Sequence, residues 1–260
     1  MGSSFRLAYR VAALALLTMA LLPLQIVAVA LTPQLARRIP VLYHRLGTRF
    51  MGVAVRVQGV PSPSRPLLIV ANHVSWLDIS VITTTSPVSF IAKREVASWP
   101  VFGLLAKLQR SIFIDRERRQ KSGAANSEIA ARLIAGDAIV LFAEGTSSDG
   151  KDVLPFRSAL IGSAAQACER LPAGMVFVQP LSVVYTGEGR EIAPWHGDMD
   201  LLPHLVRVLR VPKVDAVLHW GEPIPYFVQS DRKQIAKKLE GDVRALMRRT
   251  QEQCAEDYAA

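Results

Sequence analysis

The sequence predicts an α/β fold: a mixed, largely parallel sheet flanked by helices, preceded by N-terminal membrane-associated helices. Three patterns in the 260 residues lead there. From residue 53 onward, short runs rich in β-branched and apolar residues alternate with stretches of helical periodicity, the mark of strands joined through crossover helices. Two of these runs, 67–71 and 138–143, stop at polar residues and turn signals, as buried strands do at a sheet rim. Residues 11–31 are almost wholly apolar, close to the roughly 20 residues needed to cross a hydrocarbon core.

That apolar run is interrupted by Thr18, Pro23 and Gln25 and flanked by Arg6, Arg10 and Arg37-Arg38. A cleaved signal peptide ending near Ala28-Val29-Ala30, a single crossing, and an uncleaved anchor entering one leaflet all remain open on this pattern; the run is long for the first, and basic residues on both sides leave the orientation of the second undecided. The next stretch favours an anchor. Over residues 34–51, Leu35, Ile39, Leu42, Leu46 and Phe50 recur at helical spacing, while Arg37, Arg38, Arg45 and Arg49 fall largely off that stripe. Such a basic amphipathic helix suits anionic lipid, and suits packing on its own domain nearly as well. Residues 1–51 are therefore expected to form an anchor with an amphipathic helix, and residues 52–260 a single domain without repeats or low-complexity tracts.

Within that domain the strand expectations are 53–57, 67–71, 88–92, 111–114, 138–143, 177–185 and 214–220. Helices are expected over 77–85, 96–110 with Pro100 near its start, 119–135, 158–170, and 231–256, the last carrying Ile235, Leu239, Val243 and Leu246 on one stripe. A net charge of +9 favours anionic lipid, nucleic acid or acidic protein partners. No nucleic-acid module with interleaved aromatics is present, and aromatic residues are only 7%, which argues against the second. Cys168 and Cys254 lie far apart, without metal spacing and without a disulfide framework.

The chemistry concentrates where strands end. His73 and Asp78 follow the 67–71 run, five residues apart. If the chain turns there, with Asn72 or Ser75 capping the next helix and Asp78 in its first turn, the carboxylate can hold one ring nitrogen and leave the other as a proton acceptor. That is a base with its orienting group and no obvious nucleophile, which fits activation of a hydroxyl on the substrate. Spacing alone equally allows a polar strand end beside a solvated helix residue. Glu144, Gly145 and Thr146 close the 138–143 run, and ligands gather at carboxyl ends of strands, so these three are expected on the same rim, where backbone N–H groups and the Thr146 hydroxyl can hold an oxygen-rich acceptor. Lys93 and Arg116 also fall at or just after strand ends, placed to neutralise an anionic head group or simply to be solvated.

Three other patterns are set aside. Gly145 to Lys151 spells most of a phosphate-binding loop, but Asp152 stands where a Ser or Thr should bind magnesium and Pro155 blocks the required helix. His196, Asp198 and Asp200 meet no metal-ligand spacing, so no metal site is expected. Neither Ser75 nor Ser80 sits in a nucleophile elbow, which disfavours a hydrolase.

Taken in order, Asn72-His73 with Asp78, then Lys93, Pro100, Gly103 and Arg116, then Phe142-Ala143-Glu144-Gly145-Thr146, then Val178-Gln179-Pro180-Leu181 resemble the four blocks of the glycerolipid acyltransferases. That family includes the 1-acylglycerol-3-phosphate and lyso-ornithine lipid acyltransferases. The resemblance covers residues 67–185. It implies a membrane-associated α/β enzyme in which His73 takes the proton of an acceptor hydroxyl, Asp78 holds the imidazole, Glu144, Gly145 and Thr146 line the acceptor site with Arg116 near its head group, and Pro180 shapes the wall. The donor is expected to be an acyl carrier protein or coenzyme A thioester, with no metal or other cofactor, and the catalytic domain on the cytoplasmic face of a bacterial-type inner membrane.

Two positions depart from the family's third block, F-P-E-G-T-R-S: Ala143 replaces its proline and Ser147 its arginine. Losing that arginine weakens the case for a phosphate head group, with Arg157 the nearby cation that can compensate. The form F-A-E-G-T-S-S-D-G, with Trp195-His196-Gly197-Asp198-Met199 downstream, is closer to the lyso-ornithine lipid branch. The alternatives carried forward are a 1-acylglycerol-3-phosphate acyltransferase and a membrane-tethered lipid-binding protein without catalysis.

Overall fold

The central strand of the molecule, β2 (Leu67–Ala71), is buried at every residue, as expected of a β-branched, apolar run with neighbours on both sides and helices on both faces. The computed structural model describes residues 2–114 and 122–259. After two long helices, α1 (Ser3–Leu31) and α2 (Pro33–Met51), come β1 (Val53–Gln58), β2, α3 (Leu77–Thr83), β3 (Ser89–Lys93), α4 (Phe102–Leu108), β4 (Ile112–Ile114), α5 (Ser122–Ile134) and β5 (Ala138–Phe142). Then follow α6 (Gly162–Cys168), β6 (Met175–Thr186), α7 (Leu201–Arg210), β7 (Val214–Trp220), β8 (Ile224–Phe227) and α8 (Arg232–Ala259). The sheet order is β1-β7-β6-β2-β5-β3-β4, with β8 also paired to β6. Its pairs are parallel except β6 with β7 and β6 with β8, so the sheet is mixed and largely parallel.

Alternation along the strands divides the core into two layers. Leu67, Ile69 and Ala71, with Leu181, Val183 and Tyr185, face α1, α2, α3 and α7. Leu68, Val70, Val176 and Val178 face α5, α6 and α8. The expected strands recur within two residues of their observed ends. The expected helix 96–110 is broken: a 3-10 turn covers Arg94–Ser98, Trp99 is extended, Val101 has φ 62°, and α4 begins only at Phe102. Pro100 is the cause, since it lacks an N–H and disfavours the helical region for the residue before it. The expected helix 158–170 is regular only over α6, and α7 and β8 are additions that pattern reading did not reach.

α1 is one continuous helix, and its most apolar window has a mean hydropathy of 2.4 with 17% buried. Its first third is built into the domain. Arg10, 6% exposed, donates to the carbonyls of Leu209, Val211 and Pro212 at 3.2, 2.7 and 2.8 Å, satisfying acceptors at the end of α7. On α2 the packed stripe is Ala36, Ile39, Gly47, Thr48 and Met51, while Leu35 and Leu42 of the expected stripe face outward beside the exposed Leu24, Val27 and Leu31 of α1.

Candidate active site

The corner after β2 is built by polar side chains replacing backbone pairing. Asn72 does not cap α3. Its side chain donates to the Val183 carbonyl at 2.9 Å and accepts the Val183 N–H at 2.8 Å, extending the β2–β6 ladder by one residue. The chain then turns, and Asp78, fully buried in the first turn of α3, gathers it. Its Oδ2 accepts the N–H groups of Val74 and Ser75 at 2.8 and 3.0 Å, and lies 2.8 Å from Nδ1 of His73. Its Oδ1 accepts the Tyr185 hydroxyl at 2.7 Å.

A carboxylate with four donors is an acceptor only, so Nδ1 of His73 carries a proton, and in the neutral ring the lone pair falls on Nε2. The ring stacks on Phe142 at a centroid distance of 4.0 Å and an angle of 14°, which fixes its plane. Burial, and then the Asp78 charge, push the Tyr185 hydroxyl well above the usual phenol range, so it remains a donor at all working pH values. Tyr185 was missed by sequence reading. The signal was its place at the rim end of β6, in the same alternation as Leu181 and Val183.

His73 stands on the edge of a cavity of about 810 Å³ that extends between α1, α2, α4 and the sheet. Apolar side chains such as Leu14, Leu22, Ile39 and Phe102 dominate its wall, and Trp76 and the Trp195–Gly197 loop frame its mouth. Trp76 donates to Nδ1 of His204 at 3.0 Å, His204 Nε2 donates to the Pro194 carbonyl at 2.9 Å, and the Trp195 N–H bonds the Val74 carbonyl at 2.9 Å. These struts bind the mouth to the His73 corner, and none of them was anticipated.

The second corner, after β5, comes to the same rim. Ser148 donates its N–H to the His73 carbonyl at 2.9 Å, and Gly145, Thr146 and Ser147 border the cavity near His73. Gly145 has φ 77°, and a Cβ there would lie 3.1 Å from the Arg157 side chain, so the turn calls for glycine. Arg157 thus packs against the outside of this turn and is not among the cavity's lining residues. Lys93 is exposed on the cavity edge at the end of β3. Arg116 lies outside the described residues.

Two expectations are corrected. Glu144 is 2% exposed and turned under the rim instead of lining the cavity; its Oε1 accepts the Leu154 N–H at 3.2 Å, while Oε2 is buried without a hydrogen-bond partner. Burial is the main cause that pushes its carboxyl up to about 8, so it is largely protonated at neutral pH. Pro180 is not among the residues lining the cavity at His73. The alternation of β6 puts it on the α8 face, against Gly221, whose N–H bonds its carbonyl at 2.9 Å. It sits where β6 passes from β8 to β7, a gap in antiparallel pairing that tolerates a residue without N–H.

Neither serine considered for a hydrolase is available to His73: Ser75 is fully buried with Oγ 3.4 Å from the Leu77 N–H, and Ser80 Oγ lies 3.2 Å from His44. The arrangement is therefore a positioned imidazole, held at Nδ1 by Asp78, at the edge of an apolar cavity.

The acyltransferase family model matches residues 54–184. The lyso-ornithine lipid O-acyltransferase of Brucella abortus is 44% identical over 255 residues, 95% of this chain and 96% of that protein. The lyso-ornithine lipid O-acyltransferase of Rhizobium meliloti is 40% identical over 242 residues, 90% of this chain and 83% of that protein. The crystal structure of the 1-acyl-sn-glycerophosphate acyltransferase from Thermotoga maritima superposes with a TM-score of 0.69 over 96% of this chain and 98% of that one, at 20% identity, a likeness of fold.

Proposed function

The chain belongs to the acyltransferase family, and from that premise we propose that it transfers a fatty acyl chain from an acyl thioester to the hydroxyl of lyso-ornithine lipid, giving ornithine lipid. The observation that carries this reading is the His73 ring, locked at Nδ1 and free at Nε2 beside an apolar cavity. Nε2 accepts the acceptor's hydroxyl proton as its oxygen attacks the thioester carbonyl. The C–O bond forms, the C–S bond breaks, and the departing thiolate takes the proton back from the imidazolium, leaving the ring neutral for the next turnover. Asp78 stabilises the imidazolium between these steps, and the cavity takes the apolar chain.

The acceptor assignment rests on the two relatives named for lyso-ornithine lipid and on Ala143 and Ser147, which depart from the phosphate-linked form of the loop. The donor is an acyl carrier protein or coenzyme A thioester, and no metal or further cofactor enters the scheme. The exposed apolar face of α1 and a net charge of +9 support a seat on an anionic membrane surface, on the cytoplasmic side where acyl thioesters are made. Purified membranes offered lyso-ornithine lipid and 1-acylglycerol 3-phosphate, each with either thioester, test both assignments. Preferred acylation of lyso-ornithine lipid is expected; preference for the phosphate acceptor would reject that choice, and salt-sensitive lipid binding without any new ester would leave a binding protein.

A further inference from the structure

At the end of the sheet opposite His73, Asp137 precedes β5, 5% exposed and surrounded by arginines. Arg37 Nη2 lies 2.8 Å from its Oδ1, and Arg110 Nη2 lies 3.1 Å from its Oδ2, which Arg132 Nε also contacts. Arg65 feels the charges of Arg37 and Asp137, and its Nη1 donates to the Ser62 and Ser64 carbonyls at 2.8 Å each. Among the described residues, Asp137 is the one carboxylate bonded to Arg37, Arg110 and Arg132, so these three guanidiniums share one negative charge there. The guanidinium of Arg132 is committed, donating also to the Arg110 carbonyl and Ser89 Oγ at 2.9 and 3.0 Å. Arg37 Nε, by contrast, is buried with no hydrogen-bond partner. Burial is the first cause that pulls Arg65 and Arg110 below the usual guanidinium range; neighbouring guanidiniums add to it and Asp137 opposes it.

We propose that Arg37, Arg65 and Arg110, braced by Arg132, bind the phosphate of an anionic membrane lipid. Phosphate oxygens match the planar guanidinium fork and supply the missing negative charge. A lipid is the source because the cluster adjoins the outward apolar tip of the helix pair. Leu31 and Leu35 are exposed just before Arg37, with Leu24 and Val27 one to two turns back on α1. A tip seated in the acyl layer puts these arginines at head-group depth. Occupancy also reaches the cavity. Gln25 Nε2 donates to the carbonyls of Ala36 and Leu108 at 3.0 and 2.8 Å, tying α1 to residues flanking Arg37 and Arg110 at the cavity's far end. A bound lipid phosphate therefore braces the wall that receives the chain. The site does not depend on the acyl-transfer reading, because its test reads binding and unfolding, not turnover.

The test uses the full chain and phosphatidylcholine vesicles with or without phosphatidylglycerol. Arg37→Gln with Arg110→Gln is compared with Arg248→Gln and Arg249→Gln on the opposite face, each pair lowering the formal charge from +9 to +7. The phosphatidylglycerol-dependent affinity should fall about ten-fold or more in the first pair and about two-fold or less in the second. Equal losses would mean diffuse surface charge and overturn the site. Should the first pair fold poorly, Asp137→Asn decides. A lipid phosphate replaces the lost carboxylate, so phosphatidylglycerol should raise the unfolding temperature of this variant more than that of the unsubstituted protein. An equal or smaller rise overturns the proposal, as does stabilisation by inorganic phosphate that matches phosphatidylglycerol, which would assign the site to the free anion.

Discussion

Asp78 and Glu144 are both buried carboxyl groups at the rim beside His73, yet they live in opposite conditions. Asp78 accepts four hydrogen bonds, from His73, two backbone N–H groups and Tyr185. Glu144 has one bonded oxygen and one orphan, and burial lifts its carboxyl to about 8. Depth of burial is similar, and what differs is the number of donors each carboxyl meets. A saturated carboxylate can polarise an imidazole; a starved one serves as a neutral strut. The family-like order of blocks gives no hint of this division, which separates the reacting pair from the loop that supports it.

The comparison can be broken from its strong side first. His73→Ala should lower the transfer rate by about 10²–10⁴-fold while membrane association and circular dichroism stay unchanged. Asp78→Asn should cost about 10²–10³-fold and also lower the unfolding temperature, because an amide NH₂ cannot accept from the N–H groups that now converge on the carboxylate. Tyr185→Phe removes one donor of four. It should cost about 1–2 kcal/mol of stability and about five-fold in rate, with little change in apparent acceptor affinity.

Glu144→Gln sharpens the contrast from the other side and should have the smallest effect on turnover at pH 7. Its signature is in stability. Between about pH 4.5 and about 8 the folded protein retains a Glu144 proton that the unfolded chain has released. Stability therefore falls as pH rises through that window and levels off above it, and chemical denaturation of Glu144→Gln should lack this slope. A rate loss as large as that of Asp78→Asn would erase the distinction between the corners.

The corner after β2 was legible because everything it needs is local: an apolar strand, an Asn, and a His and Asp within one turn. The sheet was legible for a similar reason, since β-branched runs between turn residues leave few other readings. What stayed hidden depends on partners distant in sequence. Tyr185 reaches Asp78 across 107 positions, and the state of Glu144 is set first by its burial, then by the backbone N–H groups of Leu154 and His73. Pro180 matched a family-like block, but the two-residue period of β6 turned it to the face away from the cavity. In 96–110 the apolar spacing read as one helix because periodicity registers side chains, while Pro100 acts on the backbone. α7 escaped because Pro203 and His204 disguise its stripe, although His204 proves to be the strut under Trp76.

The central claim is direct transfer assisted by His73, without an acylated protein. Acyl thioester is mixed with the purified protein in lipid micelles, with and without lyso-ornithine lipid, and thioester cleavage, new ester and protein mass are followed together. The account predicts cleavage only when the acceptor is present, one ester per thioester consumed, unmodified protein mass, and almost no ester from His73→Ala. Cleavage without acceptor, an acyl adduct on the chain, or undiminished ester formation by His73→Ala would contradict it.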